Sequence, residues 1–336
     1  MTDKGRHIIA LIVFNLLAVT VLALISEVLI RLTCPSITTQ GTSAGLLTSG
    51  VFDNIYGMRP SAMGSTNGMQ AKINSLGCRE TGIPFHHARK NWLLLGDSVT
   101  FGVGVCDDST FAARLQQRLT GWNVLNCGVI GYSYHEYHKI AAYWLSDSDL
   151  HPRIDHLTLC FCLNDVYHSV SDIDQPGGGL RHLFGDFLRW LRAHSRLYIF
   201  LKSKCFDRSA RYYRFDEQFY SVQNPEFGSC LEALSAIRQL AVDRGVPFEI
   251  VLLPYEYQLR PAYQSDQTPQ ALLGEQLSRG GIPYRDCLAY FRNSRLKPQS
   301  LYLYGDGIHF SSQGHRLMSD YMHETIIPYL EQGSTP

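Results

Sequence analysis

Residues 92–105 decide the fold class, and they read Trp92-Leu-Leu-Leu-Gly-Asp-Ser98-Val-Thr-Phe-Gly-Val-Gly-Val105. An apolar run enters a Gly-Asp-Ser turn, and a helical pattern begins near Phe111. Together they predict a buried parallel strand, a tight turn and a crossover helix. Open α/β sheets place their chemistry at the carboxyl ends of such strands, where Ser98 would lie. A hydroxyl there is a candidate nucleophile if a base can reach it.

Two other interpretations of this turn are open. The glycines could cradle a phosphate, but no Walker lysine follows, and Gly102 and Gly104 make a poor dinucleotide fingerprint. Alternatively, Ser98 only caps the next helix. The stretch by itself does not choose between catalysis and a structural turn.

A second loop, near the end of the chain, carries a carboxylate and an imidazole. Residues 304–315 place Asp306 and His309 three positions apart in a Gly-rich loop, and a helical pattern follows from about Ser312. An aspartate at this spacing can orient an imidazole and stabilise the imidazolium. A helix N-terminal turn with a surface histidine is the alternative for an isolated pair.

Two further stretches lie between these loops. Residues 123–133 form a short strand pattern that runs into a Gly-rich loop, and residues 157–166 form an apolar strand pattern that ends in Asn164-Asp165. With them, the chain resembles an SGNH hydrolase of the GDSL lipase/esterase superfamily over residues 91–330. The four blocks of that family occur here in order, as Gly96-Asp97-Ser98, Gly131, Asn164-Asp165 and Asp306-x-x-His309.

The resemblance implies a role for each of these residues. Ser98 would be the nucleophile, His309 the general base and then the general acid, and Asp306 the residue that orients His309. The Ser98 N–H, the Gly131 N–H and the Asn164 side-chain amide would form the oxyanion hole. Such donors are aimed at developing negative charge, and losing one typically costs about 2.7–4 kcal/mol of transition-state stabilisation.

Neighbouring residues qualify this assignment. Asp97 and Asp165 are expected to hold their loops by hydrogen bonds to backbone groups. Cys162 stands two residues before Asn164, where the family usually has glycine, and this is a departure at the oxyanion hole. Gly128 is the rival of Gly131 as the second backbone donor, and the spacing from Asn126 favours Gly131.

The alternation of strand and helix patterns along the chain predicts the architecture. Strand patterns near residues 92, 123, 157, 248 and 283 alternate with helical patterns at 111–119, 136–144, 230–244 and 270–279. This alternation predicts a flavodoxin-like three-layer α/β/α fold with a central parallel sheet. The predicted hydrolase domain spans residues 88–332, with an insertion at about 169–227.

The insertion contains a turn-rich loop at residues 172–179 and then an apolar stripe. The stripe consists of Phe184, Phe187, Leu188 and Leu191 at helical spacing, beside Trp190. Such a stripe is more often core, and a lid or an acyl-chain groove is the alternative. The aromatic residues that follow can stack on sugar rings, although core packing is the better explanation for most of them. They are Tyr212, Tyr213, Phe215, Phe219 and Tyr220.

An apolar helix is predicted at the N-terminus, within residues 1–33. Residues 8–25 are apolar except for Asn15 and Thr20, which approaches the ~20 residues that span a bilayer. Lys4 and Arg6 precede this run, so the N-terminus is expected in the cytoplasm and the catalytic domain in the periplasm or outside the cell. A retained anchor is favoured over a cleaved signal peptide, because the apolar core is long and no clear Ala-x-Ala site follows.

The end of this helix and the segment after it carry four further expectations. Glu27 and Arg31 lie one turn apart and are placed to pair at the membrane surface. Cys34 is not a convincing lipoprotein cysteine. Residues 34–87, rich in Ser, Thr and Gly, read as a linker that becomes ordered. Residues 74–79 resemble a segment that often precedes the catalytic strand in exported family members, where Arg79 would help to line the site; a surface arginine is the alternative.

The histidines and cysteines outside these motifs indicate neither a metal site nor a disulfide framework. Zinc-binding helices place histidines four residues apart and need a third ligand, so His135, His138 and His168 are read as surface or site-rim residues. The cysteine count is nine. Cys160 and Cys162 share one face of a strand and cannot easily pair, so mostly buried thiols are expected.

The predicted function is that of a membrane-anchored serine esterase without metal or cofactor. Lys and Arg total 30 against 30 for Asp and Glu, with no basic run, which excludes a nucleic-acid footprint. The expected substrates are O-acyl esters, first on a cell-envelope glycan and second on a lipid. The alternative is transfer of an acyl group to a sugar hydroxyl through the same residues, which would need an acyl-donor partner or a soluble donor. A catalytically silent glycan-binding relative is a third possibility, and the presence of Ser98, Asp306, His309 and Asn164 argues against it.

Overall fold

A computed structural model describes residues 3–52, 55–168, 180–263 and 268–332 of the chain. The predicted turn-rich loop at 172–179 lies outside the described residues. The chain divides into two compact units. A smaller unit comprises Met1–Gln40 with Pro176–Phe206, and a larger unit comprises Gly41–Gln175 with Asp207–Pro336. Every predicted site residue belongs to the larger unit.

Helices and strands alternate through the larger unit as the sequence pattern predicted. The strands are β1 Leu47–Val51, β2 Ile55–Met58, β3 Met63–Thr66, β4 Met69–Lys72, β5 Lys90–Gly96, β6 Trp122–Gly128, β7 His156–Phe161, β8 Phe248–Leu252 and β9 Tyr284–Asp286. The helices are α1 Asp3–Thr33, α2 Ser98–Phe101, α3 Phe111–Arg118, α4 Tyr134–Trp144, α5 Leu180–His194, α6 Arg196–Cys205, α7 Arg208–Asp216, α8 Pro225–Asp243, α9 Pro269–Arg279, α10 Leu288–Asn293, α11 Ser312–Thr325 and α12 Ile327–Gln332.

The core of the larger unit is a parallel sheet with the strand order β6-β5-β7-β8-β9. Counted along the chain within this sheet, that is the flavodoxin-like order 2-1-3-4-5. Every residue of β6 and β7 is buried, and in β5 only Lys90 is exposed, because helices cover both faces of a parallel sheet. α4 packs against α8 and α3 packs against α11. The predicted three-layer α/β/α fold is confirmed.

Small antiparallel hairpins precede the sheet in the segment read as an ordered linker. β1 pairs with β2, and β3 pairs with β4. Backbone bridges then join Arg79 to Ile73 and to Asn126 of β6. Since β6 is an edge strand of the sheet, this segment covers an edge that would otherwise leave backbone groups unpaired.

A disulfide joins Cys78 to Cys127 of β6. The sequence did not reveal this pair, because the two cysteines become neighbours only when Arg79 pairs with Asn126. Four of the seven free cysteines are buried, so the expectation of mostly buried thiols holds for these four and not for the other three or for the disulfide pair. The buried free cysteines are Cys160, Cys162, Cys230 and Cys287, and the others are Cys34, Cys106 and Cys205.

Removing this disulfide should destabilise the larger unit. The cysteines are 49 residues apart, and closing a loop of that length is worth about 4 kcal/mol through the chain entropy of the unfolded state. The Cys78→Ala/Cys127→Ala variant should therefore unfold at lower urea concentration than the wild type. Reductant should shift the wild type, and the control Cys106→Ser, towards the double variant. A double variant that responds to reductant as strongly as the wild type would contradict this.

The smaller unit is built on α1. Within the described residues, α1 is the one helix long and apolar enough to cross a membrane, and none of its residues is buried. The predicted pair is confirmed, with Arg31 Nε 2.7 Å from Glu27 Oε1. Glu27 also caps α6, since its carboxylate accepts hydrogen bonds from Ser195 Oγ at 2.9 Å, Arg196 N at 3.0 Å and Leu197 N at 2.8 Å.

In α5, Leu188 and Leu191 of the apolar stripe are half-buried, and the side chain of Phe184 lies outside the described residues. Phe187 is 52% exposed and Trp190 is 55% exposed, so the core interpretation is wrong for these side chains. Helical spacing reports an apolar face but not what covers it. Among the later aromatic residues, Tyr213 and Tyr220 are buried, whereas Phe215 is 37% exposed.

Candidate active site

Ser98 lies at the carboxyl end of the central strand β5. The strand ends at Gly96, and Ser98 is the first residue of the short helix α2. Asp97 caps this helix, because its Oδ1 accepts a hydrogen bond from Val99 N at 2.8 Å. The turn places the Ser98 hydroxyl, half-buried, at the edge of the sheet where parallel α/β folds carry their chemistry.

His309 lies between Ser98 and Asp306. Its Nε2 is 2.9 Å from Ser98 Oγ, and its Nδ1 is 2.9 Å from Asp306 Oδ1. Because Nδ1 faces a carboxylate, the neutral ring carries its proton there, which leaves Nε2 to accept the hydroxyl proton. The structure thus brings together three side chains that the sequence predicted to meet, and their arrangement can remove a proton from Ser98.

The surroundings shift the pKa values of this acid–base pair in opposite directions. Burial raises the pKa of Asp306, but the His309 charge and its hydrogen bonds outweigh burial and lower that pKa overall. Burial lowers the pKa of His309, but the carboxylates of Asp306 and Asp97 outweigh burial and raise that pKa overall. Asp306 is further held by backbone N–H groups, since its Oδ1 accepts from Ile308 N at 3.0 Å and His309 N at 2.8 Å.

Two backbone N–H groups, those of Ser98 and Gly131, are available to a ligand. Gly131 has a φ of +88°, in the left-handed region that favours glycine. Across the described parts of the chain, the N–H of Ser98 and that of Gly131 have no hydrogen-bond acceptor. The rival, Gly128, is engaged instead: its N–H donates to Asn126 Oδ1 at 3.2 Å, and a Cβ there would lie 2.4 Å from Phe101 N.

Asn164 lies in a short turn, Leu163–Val166, that follows β7. Asp165 holds this turn, because its Oδ2 accepts a hydrogen bond from Cys162 N at 2.7 Å. Burial, reinforced by the charge of Asp97, raises the pKa of Asp165 well above its ordinary range. A hydrogen bond from the Asn164 side chain is among the contacts that lower the pKa of buried Asp97 against the larger effect of desolvation. The Asn164 amide therefore faces the Asp97–Ser98 turn.

A family comparison decides the identity of this site. Residues 94–317 match the GDSL-like lipase/acylhydrolase family. The chain belongs to this family. It is therefore a serine ester hydrolase of the SGNH/GDSL superfamily, as the four sequence blocks implied. A comparison with curated proteins gave no match.

Solved structures similar to this GDSL hydrolase share little of its sequence. A lipolytic protein of the G-D-S-L family from Veillonella parvula has 15% identity and a TM-score of 0.41, covering 71% of this chain and 98% of its own. TesA has 13% identity and a TM-score of 0.44, covering 71% and 99%. The acetylxylan esterase Axe2 from Geobacillus stearothermophilus has 13% identity and a TM-score of 0.41, covering 71% and 96%.

Behind Asn164, the GDSL hydrolase has a buried hydroxyl shared by two acceptors. The Tyr255 hydroxyl is 3.1 Å from Asn164 Oδ1 and 2.6 Å from Asp216 Oδ2. One hydroxyl proton cannot serve both acceptors at once. Burial raises the pKa of Asp216 to about 6, against the opposing effect of its tyrosine hydrogen bonds. While Asp216 is protonated, it can donate to Tyr255, which then donates to Asn164 Oδ1 and leaves the amide N–H₂ directed to the Asp97–Ser98 turn; above its pKa, ionised Asp216 takes the Tyr255 proton instead.

At about pH 6, where part of Asp216 is protonated, Tyr255→Phe should lower kcat with little change in KM, because Asn164 loses the donor that orients its amide. The expected loss is about tenfold, below the 10²–10³ for removing an oxyanion donor outright. The matched control is Tyr167→Phe, which removes the other hydroxyl on Asp216, 2.9 Å from Oδ1, and should change kcat far less. In an Asn164→Ala background, Tyr255→Phe should have no further effect. An equal further loss would show that Tyr255 acts independently of Asn164.

Three residues around this site were not predicted from the sequence. Asp216 and Arg208 come from α7 in the insertion, which carries no family motif. The Arg208 charge lowers the pKa of both Asp306 and His309. Tyr255 follows β8 at the sheet's carboxyl edge, and that position is the one signal by which sequence reasoning could have found it.

Arg79 is a buried residue. It is 1% exposed and fastens the segment after Ser98, donating to Phe101 O at 2.9 Å, Val105 O at 2.6 Å and Gly102 O. Its Nε donates to Asp107 Oδ1 at 3.0 Å. The alternative of a surface arginine is wrong, and these contacts make Arg79 a support for the turn behind Ser98.

Two of the three predicted rim histidines come together. His135 Nδ1 is 3.3 Å and His168 Nδ1 is 3.9 Å from Glu136 Oε1. The three ligand atoms lie within 4.8 Å of one another and could hold a metal ion. His138 does not join this cluster. His168 supplies the third ligand atom from the segment after β7. The spacing of residues within α4 cannot reveal a ligand that comes from another segment.

Proposed function

We propose that Ser98, His309 and Asp306 form the catalytic triad of an enzyme that cleaves O-acyl esters. The observation that carries this proposal is the double contact of His309, with Nε2 at 2.9 Å from Ser98 Oγ and Nδ1 at 2.9 Å from Asp306. This geometry matches a nucleophile, a base and a group that orients the base.

In the first step, Ser98 Oγ attacks the ester carbonyl while His309 Nε2 takes its proton. The carbonyl oxygen becomes an oxyanion that receives hydrogen bonds from Ser98 N–H, Gly131 N–H and the Asn164 amide. Collapse of this intermediate breaks the bond to the alcohol, which leaves with the proton from His309. Water, deprotonated by His309, then attacks the acyl-enzyme and releases the acid.

The proposed substrate is an O-acylated glycan of the cell envelope. An aromatic cluster next to Asn164 supports this choice. The Tyr167 ring stacks on Phe219 with centroids 4.3 Å apart, and Phe215 meets it edge-on at 5.8 Å. Because Phe215 is 37% exposed, the cluster offers an aromatic ring of the kind that stacks on a sugar ring.

The test is release of acetate from acetylated xylan or peptidoglycan by the purified full chain, with and without an acceptor sugar, beside a lipid ester. Hydrolysis predicts release that does not depend on the acceptor, and no release by Ser98→Ala. A transferase would require the acceptor and would acylate it. Preference for the lipid ester would overturn the glycan proposal, and binding without release from any ester would overturn the triad.

The protein is proposed to be anchored in a membrane through α1, with its catalytic unit on the exported side. Lys4 and Arg6 support a cytoplasmic N-terminus. The Cys78–Cys127 disulfide supports an oxidising compartment for the larger unit. The cap that Glu27 provides to α6 supports retention of α1, because cleavage would leave three donors at the start of α6 without their acceptor.

A reporter fused after Pro336 should reveal the side of the membrane. A phosphatase that folds only in the exported compartment should be active in this fusion, and a reporter that works only in the cytoplasm should be inactive. Replacing Lys4 and Arg6 by glutamine should weaken this bias, because positive flanking charges set the orientation. The reverse pattern of reporter activity would place the catalytic unit in the cytoplasm.

A further inference from the structure

α5 and α6 are fastened to the C-terminal end of α1. Glu27 caps the first turn of α6, and Arg31 donates to His194 O, at the end of α5, at 2.7 Å. A helix of 31 residues is about 46 Å long, whereas the hydrocarbon core of a bilayer is about 30 Å thick. Because the apolar run ends at Ile25, the joint between α5 and α6 lies at headgroup level when α1 spans the membrane.

These two helices, and Phe206 directly after α6, expose large apolar side chains. The exposed fractions are 52% for Phe187, 55% for Trp190, 52% for Leu201 and 63% for Phe206. The Phe187 and Trp190 rings are stacked, with centroids 6.3 Å apart. Tryptophan concentrates at membrane–water interfaces, where its ring is at the apolar boundary and its N–H remains hydrated.

The same helices are basic. Residues 185–206 contain five Lys or Arg and one Asp, in a chain whose basic and acidic residues balance at 30 each. Helices that combine exposed aromatic and aliphatic groups with Lys and Arg lie in the plane of a membrane surface, and they bind more strongly to anionic lipids. A second copy of this unit would cover the apolar groups, but it would bring two positively charged surfaces together.

We infer that α5 and α6 lie on the membrane surface, insert Phe187, Trp190 and Leu201 at the headgroup boundary and place their basic residues among anionic lipid headgroups. This inference rests on the proposed retention of α1 and is independent of the triad. It assigns residues 185–206 an interaction with lipid rather than with substrate. The two helices fix the C-terminal end of α1 at the interface, as aromatic and basic anchors do for other membrane helices.

Tryptophan fluorescence tests this directly. The chain has four tryptophans, of which Trp92, Trp122 and Trp144 are buried and Trp190 is exposed. The full chain is reconstituted in phosphatidylcholine–phosphatidylglycerol vesicles whose acyl chains are brominated near the headgroup, and its intact mass verifies that α1 is present. Bromine should quench part of the emission. Trp190→Phe should remove the quenchable part, and the control Trp122→Phe should retain it.

Three results would overturn the inference. The first is an unquenched wild type, and the second is the same quenched fraction in Trp190→Phe. The third is Trp190 emission that depends on protein concentration but not on brominated lipid, which would identify a second copy as the occupant.

Vesicles of phosphatidylcholine alone should give weaker quenching that is less sensitive to salt. Equal quenching in both vesicles would refute the role of the basic residues. Ester hydrolysis by Trp190→Phe should be unchanged, which separates this test from that of the triad.

Discussion

Ser98→Ala is expected to abolish ester hydrolysis, with a loss in kcat on the order of 10⁶, the size seen when the nucleophile of a serine-protease triad is removed. The physical reason is that no acyl-enzyme can form without the hydroxyl, and His309 then has no proton to transfer. The remaining rate would come from substrate binding and the oxyanion donors. The measurement is kcat for an activated acetyl ester, together with labelling by a fluorophosphonate.

The fold should survive this substitution. Ser98 is half-buried at the start of α2, and the cap of that helix comes from Asp97 rather than from Ser98. Thermal unfolding of Ser98→Ala should therefore match the wild type. The control is Ser146→Ala, at an exposed serine in the same unit, which should keep full activity and full labelling. Labelling of another serine in Ser98→Ala would disprove the assignment.

Asp306→Asn should have the second largest effect, a fall in kcat of about 10⁴, as for the equivalent change in a serine-protease triad. An asparagine can present N–H₂ to His309 Nδ1, which would stabilise the tautomer with the proton on Nε2. That tautomer cannot accept the Ser98 proton. The wrong tautomer, more than the loss of charge, accounts for an effect of this size.

The pH dependence distinguishes this role from a purely structural one. His309 must be neutral to act as a base, and its pKa is raised because the carboxylates of Asp306 and Asp97 outweigh burial. Activity of the wild type should therefore be lost at low pH and should rise through an inflection above the ordinary histidine value of ~6.5. Asp306→Asn removes the charge that mainly opposes the effect of burial on His309. The pKa of His309 should therefore fall, and the inflection should move to lower pH.

The measurement is kcat/KM against pH, which reports the pKa of the free enzyme. Asp320→Asn is the matched control, because it removes the same charge from the outer surface of α11, where Asp320 pairs with Arg118. Its profile should not move. His309→Gln should lose most activity at every pH, and combining it with Asp306→Asn should add little, since the two residues act as a unit. An unshifted, fully active Asp306→Asn would make Asp306 a loop residue only.

The sequence by itself determined the sheet and the local geometry of each motif. β5 is buried on both faces, so its apolar run at residues 92–95 is continuous and visible without any knowledge of its neighbours. The link between Asp306 and His309 is equally local, because three residues of a Gly-rich loop suffice to bring Oδ1 to Nδ1. The order of the motifs along the chain then identified the family.

Only the tertiary structure decided which distant groups meet. Ser98 and His309 are 211 residues apart, and they become neighbours because both of their loops lie at one edge of the sheet. Tyr255 behind Asn164, Cys78 beside Cys127 and Glu27 at the cap of α6 depend in the same way on strand order and helix packing. Local periodicity records which face of an element is apolar, but it does not record what packs against that face. For the same reason, α5 carried a core-like pattern although Phe187 and Trp190 are exposed.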